Sequence, residues 1–496
     1  MHISPMPLEH LDVLVVGAGL SGIGAGYHLQ KNCPTKSYAI LEGRKASGGT
    51  WDLFRYPGVR SDSDMYTLGY SFQPWRNAKA IADGPSILEY IRETAREHGI
   101  DKRIRFDHRV RQAEWSSTDG RWTVEAETGP DNHVVRVTCG FIYLCTGYYD
   151  YDSGYTPEWP GTETFRGTIV HPQKWPEDLD YAGKRVVVIG SGATAVTLVP
   201  AMTDKASHVT MLQRSPTYVA SLPSEDRIAN WLREHLPPRI AYGLTRWKNI
   251  AVGMLLYTFA RRRPAMFSSM LHKGARKKLG PDFDLSHFTP SYNPWDQRLC
   301  LIPDSDLFTA IRSGKASVIT DRIARFTETG IALESGAHVD ADIIVTATGL
   351  SVKLMNGLSL VVDGTVVDLS RTMTYKGMLY SDVPNLASAL GYTNASWTLK
   401  CDLTAGYLCR LLNYMDKRGY AWCTPRRNDP YIKEEPALDF TSGYVLRALP
   451  HLPKQGSRTP WKLNQNYALD MMSLRFSRLE DGALEFSRAP VTAPRS

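Results

Sequence analysis

The stretch VVGAGLSG, residues 15–22, contains three glycines with the spacing G-x-G-x-x-G. Residues 12–16, apolar from Val13 onward, predict a buried parallel strand, and a helical pattern follows the glycines. In such a turn Gly17 permits the sharp bend, Gly19 lets the backbone approach a pyrophosphate, and Gly22 allows close packing of the helix. The motif alone is weak, but its position between a strand and a helix predicts a dinucleotide-binding turn.

An acidic residue, Glu42, follows the next predicted strand, Tyr38–Leu41. A carboxylate at the end of the second strand of such a unit holds the ribose hydroxyls of the nucleotide. It would also repel a 2′-phosphate. The first site is therefore predicted to bind FAD or NAD.

A second stretch, RVVVIGSGATA at residues 185–195, repeats this pattern with alanine in place of the third glycine, which is a tolerated change. Its second strand, residues 208–213, ends without an acidic residue and is followed by Arg214. A guanidinium can hold a 2′-phosphate through two hydrogen bonds, so this site is predicted to bind NADPH; an ordinary surface arginine is the alternative. The predicted contacts of the second site are Gly190, Gly192, Thr194, Ala195, Arg214 and Ser215.

The two turns belong to similar units, because an apolar strand pattern ends in Thr-Gly at residues 146–147 and again at residues 348–349. We therefore predict an α/β fold with two Rossmann-like dinucleotide-binding domains, one for FAD and one for NADP. Before the first Thr-Gly, residues 133–139 and 141–145 are predicted as two separate strands. The predicted domains are residues 1–150 for FAD and 151–390 for NADP, the latter with a helical insertion at about 226–295.

Composition narrows the class of protein. The net charge of +7 over 496 residues is mild, which suits phosphate-bearing ligands but not a nucleic-acid partner. Seven cysteines without a C-x-x-C spacing argue against a disulfide framework and against a flavoprotein disulfide reductase. These features predict a cytoplasmic protein with no metal site, and they leave the oligomeric state open.

Only one segment of the sequence could contact a membrane. The N-terminus lacks a secretory signal pattern, and the longest apolar run, residues 250–260, is shorter than the roughly 20 residues that a membrane span needs. Three arginines, residues 261–263, follow this run. A buried helix with a solvated basic end is the favoured interpretation, and a basic helix resting weakly on a membrane surface is the alternative.

Two further motifs carry a family resemblance. The stretch FRGTIVHPQKWP, residues 165–176, has the pattern F-x-G-x-x-x-H-x-x-x-W-P, and GGTWDLFRYPGVRSD covers residues 48–62. Both resemble signatures of the type I Baeyer–Villiger monooxygenases, although Glu177 stands where the longer form of the first often has Asp or Ala. The matching residues are Phe165, Gly167, His171, Trp175 and Pro176 in the first motif, and Gly48, Gly49, Trp51, Tyr56, Pro57, Gly58 and Asp62 in the second.

Other blocks are similar to the ethionamide-activating subgroup of these FAD-containing enzymes. They are SYNPWDQRLC from residue 291, GYTNASWTLK from residue 391 and LPKQGSRTPWKLNQNY from residue 452. The resemblance implies that residues 391–496 return to the FAD domain and form a C-terminal tail. Thr393 and Asn394 could reach the flavin or nicotinamide, or cap a helix, and Trp461 could close the substrate pocket or lie in a surface turn.

The resemblance implies a reaction. NADPH reduces FAD, dioxygen adds at flavin C4a, and the peroxyflavin inserts one oxygen beside a ketone carbonyl or oxygenates a sulfide or thioamide. The substrates would be small hydrophobic ketones or organosulfur compounds, and apolar residues of the insertion are candidates for the pocket. These are Trp247, Met254, Leu255, Tyr257, Phe259, Met266 and Phe267.

The resemblance also implies roles for particular residues. Arg298 would be the catalytic cation that keeps the oxygen adduct negatively charged, with Asp62 paired to it; a domain-locking ion pair is the alternative. His171 would couple domain movement to NADP binding, together with Phe165, Gly167 and Trp175, or be a satisfied linker histidine. Predicted FAD contacts are Gly17, Gly19, Gly22, Glu42, Gly49, Thr50, Trp51, Asp62 and Tyr66.

Two other functions stay open from the sequence. One is a heteroatom monooxygenase that oxygenates sulfur or nitrogen without Baeyer–Villiger activity. The other is a nucleotide-binding regulatory or membrane-associated module without turnover, for which the basic segment near residue 261 is the only support.

Overall fold

The computed structural model of the chain describes residues 8–297, 299–438 and 440–489. It has an α/β fold built on two sheets, one mixed with a parallel centre and one parallel throughout, and a glycine-rich turn follows a central strand of each. The predicted fold class is confirmed. Where the domains begin and end stays a prediction.

The first sheet has a parallel centre in which His10–Val16 lies between Tyr38–Leu41 and His133–Leu144. Leu386–Ser388 extends this centre on one side and Ile104–Arg105 on the other. Because the centre is buried on both faces, residues 13–16 and the strand Tyr38–Leu41 are continuously apolar and not alternating. The other strands of this sheet are Arg121–Thr128, His108–Ser116, Ser359–Val362, Thr365–Val366, Leu379–Tyr380 and Thr374–Tyr375.

The prediction of two strands between residues 133 and 145 was wrong, because the structure has the single strand His133–Leu144. Its first half pairs antiparallel with Arg121–Thr128, and its second half pairs parallel with His10–Val16. The change in burial pattern at the middle of this stretch reflects a change of neighbours. Gly140 continues the strand there, where a Cβ atom would lie 3.1 Å from the Asp12 carbonyl oxygen.

The second sheet is parallel throughout, with Arg185–Ile189 at its centre. Its strands in spatial order are Ala316–Thr320, His208–Gln213, Arg185–Ile189, Ile343–Thr346 and Thr168–Val170. Along the chain, an antiparallel meander lies between the first and fourth of these strands and consists of Ile323–Thr327, Gly330–Leu333 and His338–Asp340. Two linker strands, Tyr149–Gly154 and Leu350–Val352, pair antiparallel between the two units.

Helices cover the sheets and form the insertion. The longer ones are Leu20–Asn32, Gly84–Glu97, Ala193–Met202, Arg227–His235, Pro238–Arg262, Pro264–Leu279, Asp306–Arg312 and Trp397–Arg418. The short ones are Thr50–Leu53, Met65–Leu68, Gly443–Ala448 and Tyr467–Met471. Among the described residues, no helix is both long and apolar enough to cross a membrane.

The insertion packs against both units. Its long helix, Pro238–Arg262, buries Arg246 against the first unit, where the guanidinium donates to the carbonyl oxygens of Tyr66 and Gly69 at 2.7 Å and lies 3.4 Å from the Asp402 carboxylate. The next helix, Pro264–Leu279, contributes apolar side chains to the core of the second unit. The insertion therefore bridges the two dinucleotide-binding units.

Candidate active site

The first glycine-rich turn lies at the carboxyl end of His10–Val16. Gly17 has a φ of +103°, and a Cβ there would meet the Cys145 carbonyl oxygen at 2.5 Å, so only glycine fits. Gly19 faces Gly49, since a Cβ on Gly19 would lie 3.4 Å from the Gly49 Cα. The two glycines bring the turn at residue 17 and the GGTW segment close together, and the helix from Leu20 begins between them. This cradle fits the pyrophosphate of a dinucleotide.

Glu42 is buried beside this turn. Its carboxylate accepts hydrogen bonds from the backbone N–H of Ala18 at 2.7 Å and of Arg44 at 3.0 Å. Burial raises the pKa of the Glu42 carboxyl, and these two hydrogen bonds oppose the increase. The residue is therefore held at the end of Tyr38–Leu41, where a ribose would be bound. Nearby, Thr50 bonds the Tyr151 hydroxyl, and Trp51 packs on the first core.

The second glycine-rich turn repeats the geometry of the first. Gly190 has a φ of +139°, and a Cβ there would lie 2.3 Å from the Ala347 carbonyl oxygen. This matches Gly17, where a Cβ would meet the Cys145 carbonyl oxygen. A Cβ on Gly192, by contrast, would meet no described atom within 4 Å, so the surface of this turn is open for a ligand.

The residues predicted around the second turn divide into exposed and buried ones. Arg214 and Ser215 are exposed beside it, and the Ser191 hydroxyl donates to the Ser215 carbonyl oxygen at 3.0 Å. Ala195 is buried in the core, and Thr194 bonds the Tyr56 hydroxyl. Arg214 and the open turn are the groups that could hold the 2′-phosphate and pyrophosphate of NADP.

His171 lies between the linker strand Tyr149–Gly154 and the second sheet. Its Nε2 donates to the Gly349 carbonyl oxygen at 3.3 Å, while Nδ1 accepts from the Gln173 backbone N–H at 3.2 Å. This pair of contacts requires the neutral ring, and burial lowers its pKa. The ring also packs on the linker at Gly154, where a Cβ would come within 2.0 Å of it. His171 thus connects the linker strand to the Thr-Gly end of the second sheet.

The other residues of that motif fix the path of the chain. Phe165 is buried in a core on one face of the second sheet, and Trp175 packs partly buried on the other face. Gly167 passes so close to the Asp342 carbonyl oxygen that a Cβ would lie 2.3 Å from it. Each therefore has a packing role. The coupling role proposed for them from the sequence stays a prediction.

A large cavity of about 810 Å³ opens where the first unit, the second unit and the insertion meet. Asp62 lies on its wall with Thr393 and Asn394. Trp295 and Leu299 also line it, from the segment that contains the predicted catalytic arginine. Arg298 itself lies outside the described residues, so its pairing with Asp62 stays a prediction.

Three buried polar atoms in this region have no hydrogen-bond partner in the described part of the chain. They are the Asn394 Oδ1 and Trp295 Nε1, both from the cavity wall, and the hydroxyl of Tyr66. Unpaired buried polar groups are costly, so groups of this kind fit the edge of a bound heterocycle such as a flavin or a nicotinamide. Together with the first glycine cradle, they are consistent with bound FAD.

The apolar candidates from the insertion separate into two sets, apart from Phe259, which packs partly buried on Phe267. Met254, Tyr257 and Phe267 line the cavity. Trp247, Leu255 and Met266 are exposed on the outside of the insertion instead. Trp461 was also misjudged, because it is buried against Tyr375 in the first core and neither closes the cavity nor lies in a surface turn.

Some contacts of the site were missed from the sequence. Arg60, inside the early motif, forms an ion pair of 2.5 Å with Asp306 at the start of a helix in the second unit. Trp397 stacks on Tyr148 at 4.9 Å and donates through Nε1 to the Ser21 hydroxyl at 3.0 Å. No local pattern signals these pairs, since their members are far apart along the chain.

A second, smaller cavity of about 130 Å³ lies beside the Trp397–Tyr148 stack. Its floor contains the buried ion pair of Lys400 with Asp470, whose carboxylate also accepts from the Tyr392 hydroxyl at 2.8 Å. Burial lowers the pKa of Lys400, and Asp470 opposes the decrease. The remaining wall is mainly apolar.

Comparison with known proteins agrees with this geometry. Residues 78–381 match the family described as flavin-binding monooxygenase-like, and residues 15–83 match an NAD(P)-binding Rossmann-like domain. The chain is 55% identical over 484 residues to the FAD-containing monooxygenase EthA of Mycobacterium tuberculosis, covering 97% of this chain and 99% of that protein. It is 50% identical to the probable FAD-binding monooxygenase AlmA of Acinetobacter baylyi, covering 98% of each.

Solved structures share the fold. An oxidized steroid monooxygenase bound to NADP superposes with a TM-score of 0.76 at 22% identity, covering 97% of this chain and 100% of that one. OTEMO in complex with FAD and NADP superposes with a TM-score of 0.71 at 22% identity, covering 84% of this chain and 86% of that one. The expectation of a flavoprotein monooxygenase is confirmed by the sequence matches: the chain belongs to the flavin-binding monooxygenase-like family.

Proposed function

We propose that this chain is an NADPH-dependent Baeyer–Villiger monooxygenase that converts ketones to esters or lactones and also oxygenates sulfides and thioamides. The reaction consumes NADPH, a proton and dioxygen, inserts one oxygen atom beside the carbonyl and releases the other as water. FAD, when bound in the first site and reduced, supplies the activated oxygen. The chain's own residues bind the cofactors, orient the substrate and stabilise negative charge.

The observation that carries the proposal is the large cavity with Asp62 on its wall. Its apolar lining residues, which include Met254, Tyr257 and Phe267, favour hydrophobic substrates. By the family resemblance, Arg298 would hold the negatively charged oxygen, and Asp62 would orient the guanidinium.

The nucleotide assignments have support from both turns. Glu42 would hold the ribose of FAD, and the exposed Arg214 would bind the 2′-phosphate of NADPH. The relatives EthA and AlmA are named as FAD-containing and FAD-binding monooxygenases, which supports FAD as the cofactor of the first site. All seven cysteines are buried free thiols, which supports a reducing compartment such as the cytoplasm.

The test is a product assay with the purified holoenzyme, NADPH, and a methyl ketone beside an aryl methyl sulfide, with products identified by mass. We expect an ester together with the sulfoxide. Sulfoxide without ester at alkaline pH would favour a heteroatom monooxygenase instead.

Arg298→Ala tests the assigned cation, with Arg298→Lys as the matched variant that keeps the charge. We expect Arg298→Ala to retain FAD and to oxidise NADPH, but to release hydrogen peroxide in place of ester. A normal ester yield from Arg298→Ala would remove this residue from the mechanism.

A further inference from the structure

The long insertion helix has an apolar face that points to solvent. Ile240, Leu244, Trp247, Ala251 and Leu255 follow one another at intervals of three or four residues, so they share one side of Pro238–Arg262. We call them the outer stripe. Its four large members are between 50% and 69% exposed. The opposite side of the helix buries Tyr242, Arg246 and Ile250 against the first unit, so the stripe cannot turn inward.

Neighbouring elements extend this apolar surface. Ile228 and Trp231 are exposed on the preceding helix, and Met266 and Met270 on the following one. The C-terminal segment adds exposed Leu469, Met472 and Phe476, and Trp247 of the stripe contacts Tyr467 at a ring distance of 5.9 Å. Exposed apolar patches of this extent mark interaction surfaces and not ordinary solvent-facing protein.

The charge of the same segment identifies what it contacts. Residues 235–281 contain ten Lys and Arg and no Asp or Glu, which exceeds the net charge of +7 of the whole chain. The rest of the protein is therefore slightly negative. Three of the ten, Arg246, Lys248 and Arg261, form ion pairs with aspartates outside the segment, and the other seven are exposed. Exposed basic residues continue from the end of the stripe, at Arg262 and Arg263, into the following helix at Lys273, Lys277 and Lys278. An apolar stripe beside a dense positive charge is complementary to an anionic lipid surface.

A second copy of this chain fits the surface less well. A two-fold contact would bring the same patch of each subunit together. The seven exposed basic residues of this segment that these ion pairs do not involve would then face the same residues of the other copy, and like charges at an interface oppose association.

We propose that this face of the insertion docks on the surface of a membrane that contains anionic phospholipid. The helix Pro238–Arg262 lies along the membrane plane, with the outer stripe at the boundary between headgroups and acyl chains and the basic residues among the phosphates.

The mouth of the active-site cavity borders the docked face. Ile228 of the extended apolar surface and Arg262 at the end of the stripe also line the cavity, while Val252 and Leu256 line it from another side of the helix. A hydrophobic substrate dissolved in the bilayer would therefore reach the cavity without crossing water. This consequence rests on the proposed function, whereas the docking itself does not.

The test is vesicle flotation with the purified holoenzyme, without substrate or NADPH. We expect binding to vesicles of phosphatidylglycerol and phosphatidylcholine in equal amounts, and weaker binding to phosphatidylcholine alone. Raising the salt from about 0.05 to about 0.5 M should release most of the protein, because screening weakens the contribution of the basic residues. Absence of wild-type binding to the anionic vesicles at low salt would overturn the proposal.

Variants locate the contact. Leu255→Glu in the stripe, and the combined Lys273→Gln, Lys277→Gln and Lys278→Gln change, should each weaken binding by about tenfold or more. Val366→Glu is the matched control, since Val366 is as exposed as Leu255 but lies on an edge strand of the first sheet. Flavin absorbance and the melting temperature confirm that each variant is folded. An equal loss of binding in the control would overturn the assignment to this face.

Size-exclusion chromatography tests the alternative that a second copy of the chain covers the outer stripe. If the wild-type protein forms a dimer that Leu255→Glu dissociates, and anionic vesicles do not bind, a second copy covers the stripe and the proposal fails. The ketone assay in detergent-free buffer is independent of this result, so loss of docking and loss of the proposed activity are distinguishable.

Discussion

Gly154→Ala is the sharpest perturbation of the connection between the two units. Gly154 does not have a positive φ, so alanine is compatible with its backbone and any strain must come from contacts. The added methyl would lie 2.0 Å from His171 Cε1 and 2.3 Å from Nε2. Ordinary carbon contacts are about 3.5–4 Å, so the ring must shift by roughly 1.5 Å. That shift breaks the hydrogen bond to Gly349, which is already 3.3 Å long.

The energetic cost follows from two terms. Overpacking of a close contact costs about 1–3 kcal/mol, and loss of the hydrogen bond adds about 1 kcal/mol. We therefore expect Gly154→Ala to lower the free energy of unfolding by roughly 2–4 kcal/mol, which corresponds to a drop of several degrees in melting temperature. If His171 couples the units to NADP binding, anaerobic reduction of the flavin by NADPH should also slow by about tenfold or more, while reduction by dithionite is unchanged.

A double-mutant cycle tests the cause. His171→Ala removes the ring that the methyl would strike, so in that background Gly154→Ala should cost less than about 1 kcal/mol. The reasoning is refuted if the two changes are additive, or if Gly154→Ala alone leaves both the melting temperature and the NADPH reduction rate at wild-type values. FAD content, measured by absorbance, controls for loss of the first site.

Three more predictions test separate contacts. Arg214→Ala should raise the KM for NADPH by about 10- to 100-fold with little effect on NADH, since it removes a charge-assisted contact to the 2′-phosphate; an equal effect on both nucleotides would contradict this. Gly192→Ala should weaken NADPH binding without lowering the melting temperature, because its Cβ would meet only the open space of the turn. The pKa of His171 is lowered in the folded protein, so the unfolded chain binds more protons than the folded chain near pH 6.5. The contribution of the neutral ring to stability is therefore lost as the pH falls below that value. The difference in melting temperature between the wild type and His171→Gln should shrink over the same pH range.

The glycine-rich turns could be predicted because their requirements are local. Gly17 and Gly190 need a positive φ and the absence of a Cβ against one carbonyl oxygen, and a short strand–turn–helix pattern encodes both conditions. Glu42 and Arg214 are similarly read from their position at the end of a strand. The α/β fold class follows from finding that pattern twice.

The cavity could not be predicted in the same way. Its walls come from segments near residues 62, 250, 295, 393 and 465. The sequence does not indicate which of these segments are adjacent in the folded protein. Apolar residues of the insertion look alike in sequence, yet Met254 lines the cavity while Leu255 is exposed. One position along a helix turns a side chain by about 100°, so composition alone does not distinguish the two faces.

Two polar contacts near the site differ greatly in strength and in the units that they join, and this difference bears on how the site can move. Arg246 is buried with an ion pair to Asp402 and close hydrogen bonds to two carbonyl oxygens, and breaking such an arrangement costs about 3–5 kcal/mol. His171 contributes a single hydrogen bond of 3.3 Å to Gly349, of about 1 kcal/mol, and both residues follow strands of the second sheet. A rearrangement of the second unit on cofactor binding would therefore carry His171 and Gly349 together, whereas detaching the insertion from the first unit would break the Arg246 contacts. We expect the wall of the cavity carried by Pro238–Arg262 to stay with the FAD-binding unit while the linker at Gly154 absorbs the movement.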